Sequence, residues 1–208
     1  MTKEIRILSG LKLETRSDTA QPKLVGYAAV FGEATDIGGM FREKIERGAF
    51  LAAIKTSDIH ALFNHDENLV LGRAKAGTLR VSEDQHGLKV EIDPPDTQDV
   101  RDLLVKMKRG DIDQMSFAFT MLGGVQEWDD SAEPPIRTIK KVGELYDVSV
   151  VTRGAYPTTE VAVRSLDDYR KSHNFNAARL RKRREMDLEQ TLRRTAQKQP
   201  ASGPSTRT

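Results

Sequence analysis

The chain of 208 residues contains no cysteine. This absence excludes disulfide bonds, a cysteine nucleophile and any thiolate metal site. The sequence also lacks a run of about 18 apolar residues, which a membrane-spanning helix needs, and its first ten residues lack the long apolar stretch of a signal peptide. Apolar residues make up only 38% of the chain, against 31% charged residues. We therefore expect a protein of a cytoplasm-like compartment, part of which is too polar to pack into a core.

Charge is divided unevenly along the chain. Residues 164–208 carry 12 Lys and Arg against 5 Asp and Glu, a net of +7, whereas residues 1–163 carry 21 against 26, a net of −5. Apolar residues are sparse in the basic segment, so a helix there would bury little surface. The last ten residues have a composition typical of disorder. We predict one domain over residues 1–163 and a basic tail, helical and then disordered, over residues 164–208.

The first half of the body has patterns typical of strands. Apolar residues recur over residues 5–15, 23–31 and 59–63. Two further runs, TLRVSE and LKVEID, are joined by Asp84-Gln85-His86-Gly87, which predicts a hairpin with Gly87 at a positive φ.

Two segments favour helices. Residues 47–55 predict a short helix. A longer helix is expected to begin with Asp96 as its cap and to end at Gly110, because apolar residues between them recur at helical spacing.

The second half of the body returns to strand patterns. The segment QMSFAFTM (114–121) alternates bulky and small side chains, which predicts a strand with one bulky face and one small face. Residues 128–135 are polar and predict a loop, and residues 136–152 predict one long strand or two short ones. These elements predict a mainly β protein with helices, of the α+β class.

Without thiols, the candidate nucleophiles of a hydrolase are serine and threonine, and a serine needs a histidine base and a group that orients the histidine. His65 ends an apolar strand in LFNHDENLVLGR, and strand ends are places where reactive groups collect. The other histidines are weaker candidates: His60 lies on the opposite strand face, His86 in the hairpin turn and His173 in the tail.

Ser116 and the carboxylate Asp147 complete this set of candidates. Ser116 lies on the small face of its strand, where there is room for a substrate, although a buried serine in a tight sheet contact fits the same pattern. Asp147 interrupts the apolar strand LYDVSVV, where it needs a partner if it is buried. An edge-strand charge that discourages aggregation is an alternative for Asp147. Glu144 is a second candidate carboxylate.

Five stretches of the body carry a family resemblance. They are GYAAVFG (26–32), FREKIERGAF (41–50), LFNHDENLVLGR (62–73), the block over residues 87–119 and ELYDVSVVTRGAYPTT (144–159). In this order and spacing they resemble the prohead proteases, or capsid maturation proteases, of tailed bacteriophages, over residues 5–163. The resemblance implies a closed antiparallel β-barrel flanked by helices, like the herpesvirus assembly protease. It also implies a serine endopeptidase that cleaves scaffold or capsid-protein segments, and itself, during prohead maturation.

The resemblance also assigns roles to single residues. His65 in NHD matches the base, Ser116 in QMSFAF matches the nucleophile, and Asp147 in LYDVSVV falls where an acidic residue is expected, with Glu144 as the alternative acid. Arg153 is a candidate for oxyanion support, as the counterpart of an arginine-bearing loop in herpesvirus-type enzymes. The phage family usually has an apolar residue and proline at that place. No cofactor or metal is implied.

The expected partners are the major capsid protein, the scaffold protein or both, inside the assembling prohead in the host cytoplasm. Herpesvirus relatives dimerise, so a homodimer is a candidate assembly. The tail lacks the interleaved aromatic residues that stack on bases, so specific nucleic-acid recognition is not expected, and neither is membrane binding. Two rival functions remain open: a non-enzymatic assembly or scaffold factor that binds through its basic tail, and a metal-dependent hydrolase at His65-Asp66. The second would need further histidines at ligand spacing, which the sequence does not offer.

Overall fold

A computed structural model describes residues 3–8, 14–16, 22–152 and 166–171. The chain divides into two compact units, Met1–Ala162 and Val163–Thr208. The described part of the second unit is a helical segment at residues 166–171. The rest of the predicted helical and disordered tail lies outside the described residues, and so does Arg153.

The described part of the first unit contains thirteen strands and two helices. In chain order they are β1 (Glu4–Leu8), β2 (Glu14–Arg16), β3 (Lys23–Val30), β4 (Thr35–Ile37), β5 (Phe41–Ile45), α1 (Leu51–Thr56), β6 (His60–Phe63), β7 (Asp66–Arg73), β8 (Leu79–Glu83), β9 (Gly87–Ile92), α2 (Gln98–Arg109), β10 (Gln114–Thr120), β11 (Val125–Asp129), β12 (Ile136–Lys141) and β13 (Glu144–Val151). The prediction of a mainly β protein with helices is confirmed. Among the described residues, no helix is long and apolar enough to cross a membrane.

The strands form three sheets. Their orders are β1-β10-β13-β6-β7, β11-β12-β5-β4 and β2-β3-β9-β8. Most neighbours are antiparallel, but β13 pairs with β6, and β12 with β5, in parallel. Parallel neighbours need a crossover connection, so segments far apart in sequence become adjacent in the five-stranded sheet.

The closed barrel that the family resemblance implied is not what these sheets form. Closure requires one ladder of hydrogen bonds that returns to its first strand. Within the described residues, the five-stranded sheet instead ends at β1 on one side and at β7 on the other, and the two other sheets are also open. The barrel prediction is therefore not supported, because the pairing is divided among three sheets.

The larger of two apolar clusters among the described residues contains side chains from all three sheets, including Met115, Phe117 and Phe119 of β10. Phe117 of β10 packs edge-on against Phe50 at 5.4 Å between ring centroids and stacks on Phe119 at 5.2 Å. Both faces of β10 are buried from Met115 to Thr120. The predicted small face is therefore as inaccessible to water as the bulky face, and any polar group on it needs a partner inside the protein.

The predicted hairpin is confirmed as β8 and β9, although its glycine has a different role. Gly87 is not among the glycines with positive φ. A Cβ at Gly87 would lie 1.9 Å from the carbonyl oxygen of Ala29 on the neighbouring strand β3. Glycine is needed there because two backbones approach closely.

The long helix is confirmed as α2, with a shifted start. Its cap position is Thr97, because the side chain of Asp96 instead accepts a hydrogen bond from Arg101 at 2.5 Å. Its end is as predicted, with Gly110 in the left-handed region at φ 83°.

Other predicted boundaries move by a few residues. The short helix begins at Leu51 instead of residue 47, because the carboxylate of Glu83 holds a turn by accepting hydrogen bonds from the backbone N–H groups of Gly48 and Phe50. The predicted loop over residues 128–135 begins later, since Trp128 belongs to β11 and packs against Phe41 at 5.0 Å. Residues 136–152 form two strands, β12 and β13.

A buried group of four charged residues joins β1 to the sheet that contains β5 and β12. We call it the ion-pair cluster: Glu4 and Arg6 of β1, Glu43 of β5 and Arg137 of β12, all at most 5% exposed. Arg6 donates to Glu43 at 2.6 Å and 2.9 Å and to Glu4 at 2.6 Å. Arg137 donates to Glu4 at 2.7 Å and 3.0 Å and to Glu43 at 2.9 Å. The two positive and two negative charges compensate each other.

Candidate active site

The site is built where β6 turns into β7. The turn residues Asn64 and His65 both have positive φ, 53° and 59°, a conformation that side chains disfavour. Asn64 anchors the turn to the end of β13: its backbone N–H donates to the Val150 carbonyl at 2.8 Å, and its side-chain oxygen accepts from the backbone N–H of Thr152 at 3.0 Å. The turn therefore presents the His65 side chain in a fixed direction.

The strand order brings the other two predicted residues beneath this turn. Because β10, β13 and β6 are consecutive neighbours, residues around positions 65, 116 and 147 become adjacent. Ser116 of β10 lies opposite Ser149 of β13, and Asp147 of β13 lies opposite Ala118. Ser116 and Asp147 thus belong to neighbouring strands of one sheet.

The three side chains form a continuous chain of hydrogen bonds. His65 Nδ1 lies 2.5 Å from Asp147 Oδ1, and His65 Nε2 lies 2.7 Å from Ser116 Oγ. Ser116 is fully buried, the side chain of Asp147 is 2% exposed and that of His65 is 14% exposed. With the imidazole proton on Nδ1, the ring donates to the carboxylate and its Nε2 lone pair faces the serine hydroxyl.

The electrostatics favour an ionised Asp147. Burial alone would raise the pKa of this carboxyl, but hydrogen bonds from His65 and Ser149 and the positive charge of Lys3 outweigh burial and hold its pKa below the ordinary value. The group is therefore a carboxylate at neutral pH, which orients an imidazole and stabilises an imidazolium.

A family comparison agrees with this chemistry. The family described as caudovirus prohead serine protease matches residues 11–172. The chain belongs to this family. It is accordingly a serine protease of phage capsid maturation, which acts in the assembling prohead within the host cell. The family match continues past residue 163 into the first part of the basic segment. No curated protein and no solved structure matches the chain.

Ser149 is a member of the cluster around His65 and Asp147 that the sequence analysis missed. The residue is fully buried. Its hydroxyl donates to Asp147 Oδ1 at 2.7 Å and lies 3.2 Å from His65 Nδ1. A signal was present, because residues two apart in a strand share a face.

The strand β1 brings two further groups that the sequence did not reveal. Lys3 Nζ lies 3.0 Å from Asp147 Oδ2, and the Ser116 hydroxyl donates to the Arg6 carbonyl at 3.0 Å. No local pattern indicates these contacts, since they depend on the pairing of β1 with β10 across more than a hundred residues. The one proton of the Ser116 hydroxyl thus has two acceptors, the Arg6 carbonyl and His65 Nε2.

Two other residues named in the sequence analysis, Glu144 and Asp66, have no hydrogen bond to His65 among the contacts described. Glu144 is exposed at the first position of β13, and the hydrogen bonds described for His65 run to Asp147, Ser116 and Ser149. Asp66, the partner of His65 in the rival metal hypothesis, accepts hydrogen bonds from Asn68.

Proposed function

We propose that Ser116, His65 and Asp147 are the catalytic triad of a serine endopeptidase that cleaves scaffold or capsid-protein segments, and itself, during prohead maturation. One observation carries the proposal: the side chains form an unbroken acid–base–hydroxyl chain with contacts of 2.5 Å and 2.7 Å. Hydrogen-bond contact between nucleophile and base, and between base and orienting acid, is the recognised requirement of such a triad.

The proposed reaction begins with proton transfer from Ser116 Oγ to His65 Nε2. The Oγ atom then forms a bond to the carbonyl carbon of the scissile peptide, and the carbonyl electron pair moves to its oxygen. The imidazolium gives its proton to the leaving amine as the peptide C–N bond breaks. Water, activated by the same imidazole, hydrolyses the acyl-enzyme and restores the hydroxyl. Asp147 holds the imidazole in the required tautomer throughout.

Ser116 is a better nucleophile candidate than Ser149, although both contact His65. The Ser149 hydroxyl donates its proton to the Asp147 carboxylate, and the nearby imidazole atom, Nδ1, itself carries a proton for Asp147. Ser149 therefore has no free base. Ser116 faces Nε2, the nitrogen with the lone pair.

Attack also requires access to Ser116. Because this residue is fully buried and its hydroxyl contacts the Arg6 carbonyl, a peptide carbonyl can reach Oγ only after neighbouring atoms move. The proposed active form therefore includes a displacement near β1.

Arg153 is proposed to support the oxyanion. The chain reaches this residue directly after Thr152, which is hydrogen-bonded to Asn64 beside the base. A guanidinium donates in a planar fork that suits a developing oxygen charge. Arg153→Lys should retain more cleavage than Arg153→Met, and equal cleavage by both variants would count against this role.

The basic segment is proposed as a separate tail over residues 164–208, which recruits the protease into the assembling shell and is then removed by self-cleavage. Its net charge of +7 suits an acidic protein surface. Deletion of residues 165–208 should reduce packaging of the protease into proheads. Unchanged packaging would contradict this role. A homodimer remains a prediction.

The test of the proposed function is co-expression with the capsid and scaffold proteins. Wild-type protein should shorten one of them, and Ser116→Ala should not. Ser82→Ala is the matched control, because Ser82 is an exposed serine on β8. A fluorophosphonate probe should label wild type and Ser82→Ala and leave Ser116→Ala unlabelled. Shortening that persists in purified Ser116→Ala protein would refute the nucleophile, and no shortening by wild type would favour the non-enzymatic assembly factor.

A further inference from the structure

The Asp147 carboxylate has partners on both of its oxygens. Oδ1 accepts from His65 at 2.5 Å and from Ser149 at 2.7 Å, and Oδ2 faces the Lys3 ammonium at 3.0 Å. A carboxylate on its own turns readily about its last torsion, which is broad and nearly two-fold. Partners on both oxygens remove that freedom.

Burial fixes the direction of the Ser149 hydroxyl toward Asp147. The residue is fully buried on β13, two residues after Asp147, so its hydroxyl cannot exchange partners with water. A buried hydroxyl without an acceptor is costly. Its proton is therefore directed at Oδ1, the oxygen that the imidazole also uses.

Lys3 acts from the opposite side and from another element. Its side chain is 39% exposed, and it reaches Asp147 from the start of β1. Among the described residues, the titratable groups beside Asp147 are His65 on the β6–β7 turn, Lys3 ahead of β1 and His60 on β6, which lies opposite Asp147 in register. The positive charge of Lys3 in its ion pair with Asp147 opposes formation of a second positive charge on His65.

Resting on the proposed triad, we propose that Ser149 and Lys3 are positioning residues which together clamp the Asp147 carboxylate. Ser149 keeps Oδ1 aimed at His65 Nδ1. Lys3 holds Oδ2 and weakens the stabilisation that the carboxylate gives to the imidazolium. Replacement of Ser149 should therefore change the reaction rate, and replacement of Lys3 should change the pH dependence of that rate.

The Ser149 arm is tested with the fluorophosphonate probe. In Ser149→Ala we expect the maximal inactivation rate to fall about 10–100-fold, as when the hydrogen-bond partners that orient metal-binding side chains are removed. The probe dissociation constant should not change. Ser149→Thr, which keeps the hydroxyl, should recover most of that rate. Thermal midpoints check folding of each variant. If Ser149→Ala is inactivated as fast as wild type, the role of Ser149 is contradicted. The same holds if Ser149→Thr is inactivated as slowly as Ser149→Ala while the two variants have equal thermal midpoints.

The Lys3 arm uses an exposed residue whose replacement leaves the core intact. We measure the inactivation rate as a function of pH. In Lys3→Met the fall of this rate on the acidic side of the profile should move toward higher pH by about 0.3–0.7 pH unit, the size expected for a partly exposed charge pair. Lys3→Arg should keep the wild-type profile. An identical limb in Lys3→Met overturns the role of Lys3.

The triad and the clamp can fail separately. Labelling of Ser116→Ala, or no labelling of wild type, contradicts the triad and the clamp with it. Normal labelling of wild type, together with unchanged kinetics in Ser149→Ala and Lys3→Met, contradicts the clamp alone.

Discussion

Two buried polar regions lie against β1, and they differ in how fully their hydrogen bonds are matched. In the ion-pair cluster every carboxylate oxygen accepts a hydrogen bond and every guanidinium nitrogen donates one. In the proposed triad, the single proton of Ser116 has two acceptors. The ion-pair cluster holds strands together, whereas in the proposed triad the serine proton faces a base, His65 Nε2, that can accept it.

The largest difference between the two regions is expected when the carboxylate of the proposed triad is replaced. Asp147→Asn keeps the size of the side chain but favours the wrong imidazole tautomer, so the rate of partner cleavage should fall about 10⁴-fold. The ion-pair cluster is untouched, and cooperative urea unfolding should persist. A variant that retains cleavage within tenfold of wild type would remove Asp147 from the triad.

The cluster should show the opposite result, a loss of stability. Arg137→Met leaves Arg6 to face both Glu4 and Glu43, so the cluster keeps one uncompensated buried negative charge. The free energy of unfolding should therefore fall by about 3–5 kcal/mol in urea titrations. Arg80→Met is the matched control, because Arg80 is 42% exposed in its ion pair with Asp93 and should cost less than about 1 kcal/mol. If the free energy of unfolding falls equally in the two variants, burial of the ion pairs does not determine their contribution to stability.

Acid should weaken both regions. Burial alone would raise the pKa of Glu4, but hydrogen bonding and the charge of Arg137 hold this pKa below the ordinary value. The pKa of Asp147 is likewise held below its ordinary value by the partners of that carboxyl. A carboxyl with a lowered pKa stabilises the fold above its ordinary value, about 4, and loses this contribution as the pH falls through the lower value. The free energy of unfolding in urea should therefore decline below about pH 4. A free energy of unfolding that rises below about pH 4 would contradict the lowered pKa values of these two carboxyls.

The smallest effect is expected at the alternative acid. Glu144 is exposed, so Glu144→Gln should change the free energy of unfolding by no more than about 0.5 kcal/mol and should leave partner cleavage unchanged. A large loss of cleavage would reassign the acid of the triad from Asp147 to Glu144.

Local sequence signals predicted those parts of the fold that depend on neighbours in the chain. Gly110 ends α2 because its backbone needs a positive φ, and the apolar spacing before it marks one helix face. The start of α2 was less predictable, since Asp96 has a competing partner in Arg101. The division into open sheets could not be predicted, because it depends on parallel pairings between distant strands.

The candidate site also contains residues that the sequence predicts and residues that only the structure reveals. His65, Ser116 and Asp147 stand in motifs that can be found in the sequence, and the structure brings them together. Lys3 and the Arg6 carbonyl could not be found, because a backbone carbonyl leaves no trace in a sequence and Lys3 resembles any other surface lysine. Ser149 was visible on the face of Asp147, but nothing in the pattern separated it from an ordinary strand serine.

The exposure of Lys3 has a practical consequence for handling the protein. Because the chain contains no cysteine, dyes and crosslinkers would be directed at lysine side chains. The Lys3 side chain is 39% exposed, and its amine contacts the Asp147 carboxylate. If the proposed triad is correct, acylation of this amine removes the charge beside the carboxylate and changes the reaction chemistry as well as the label.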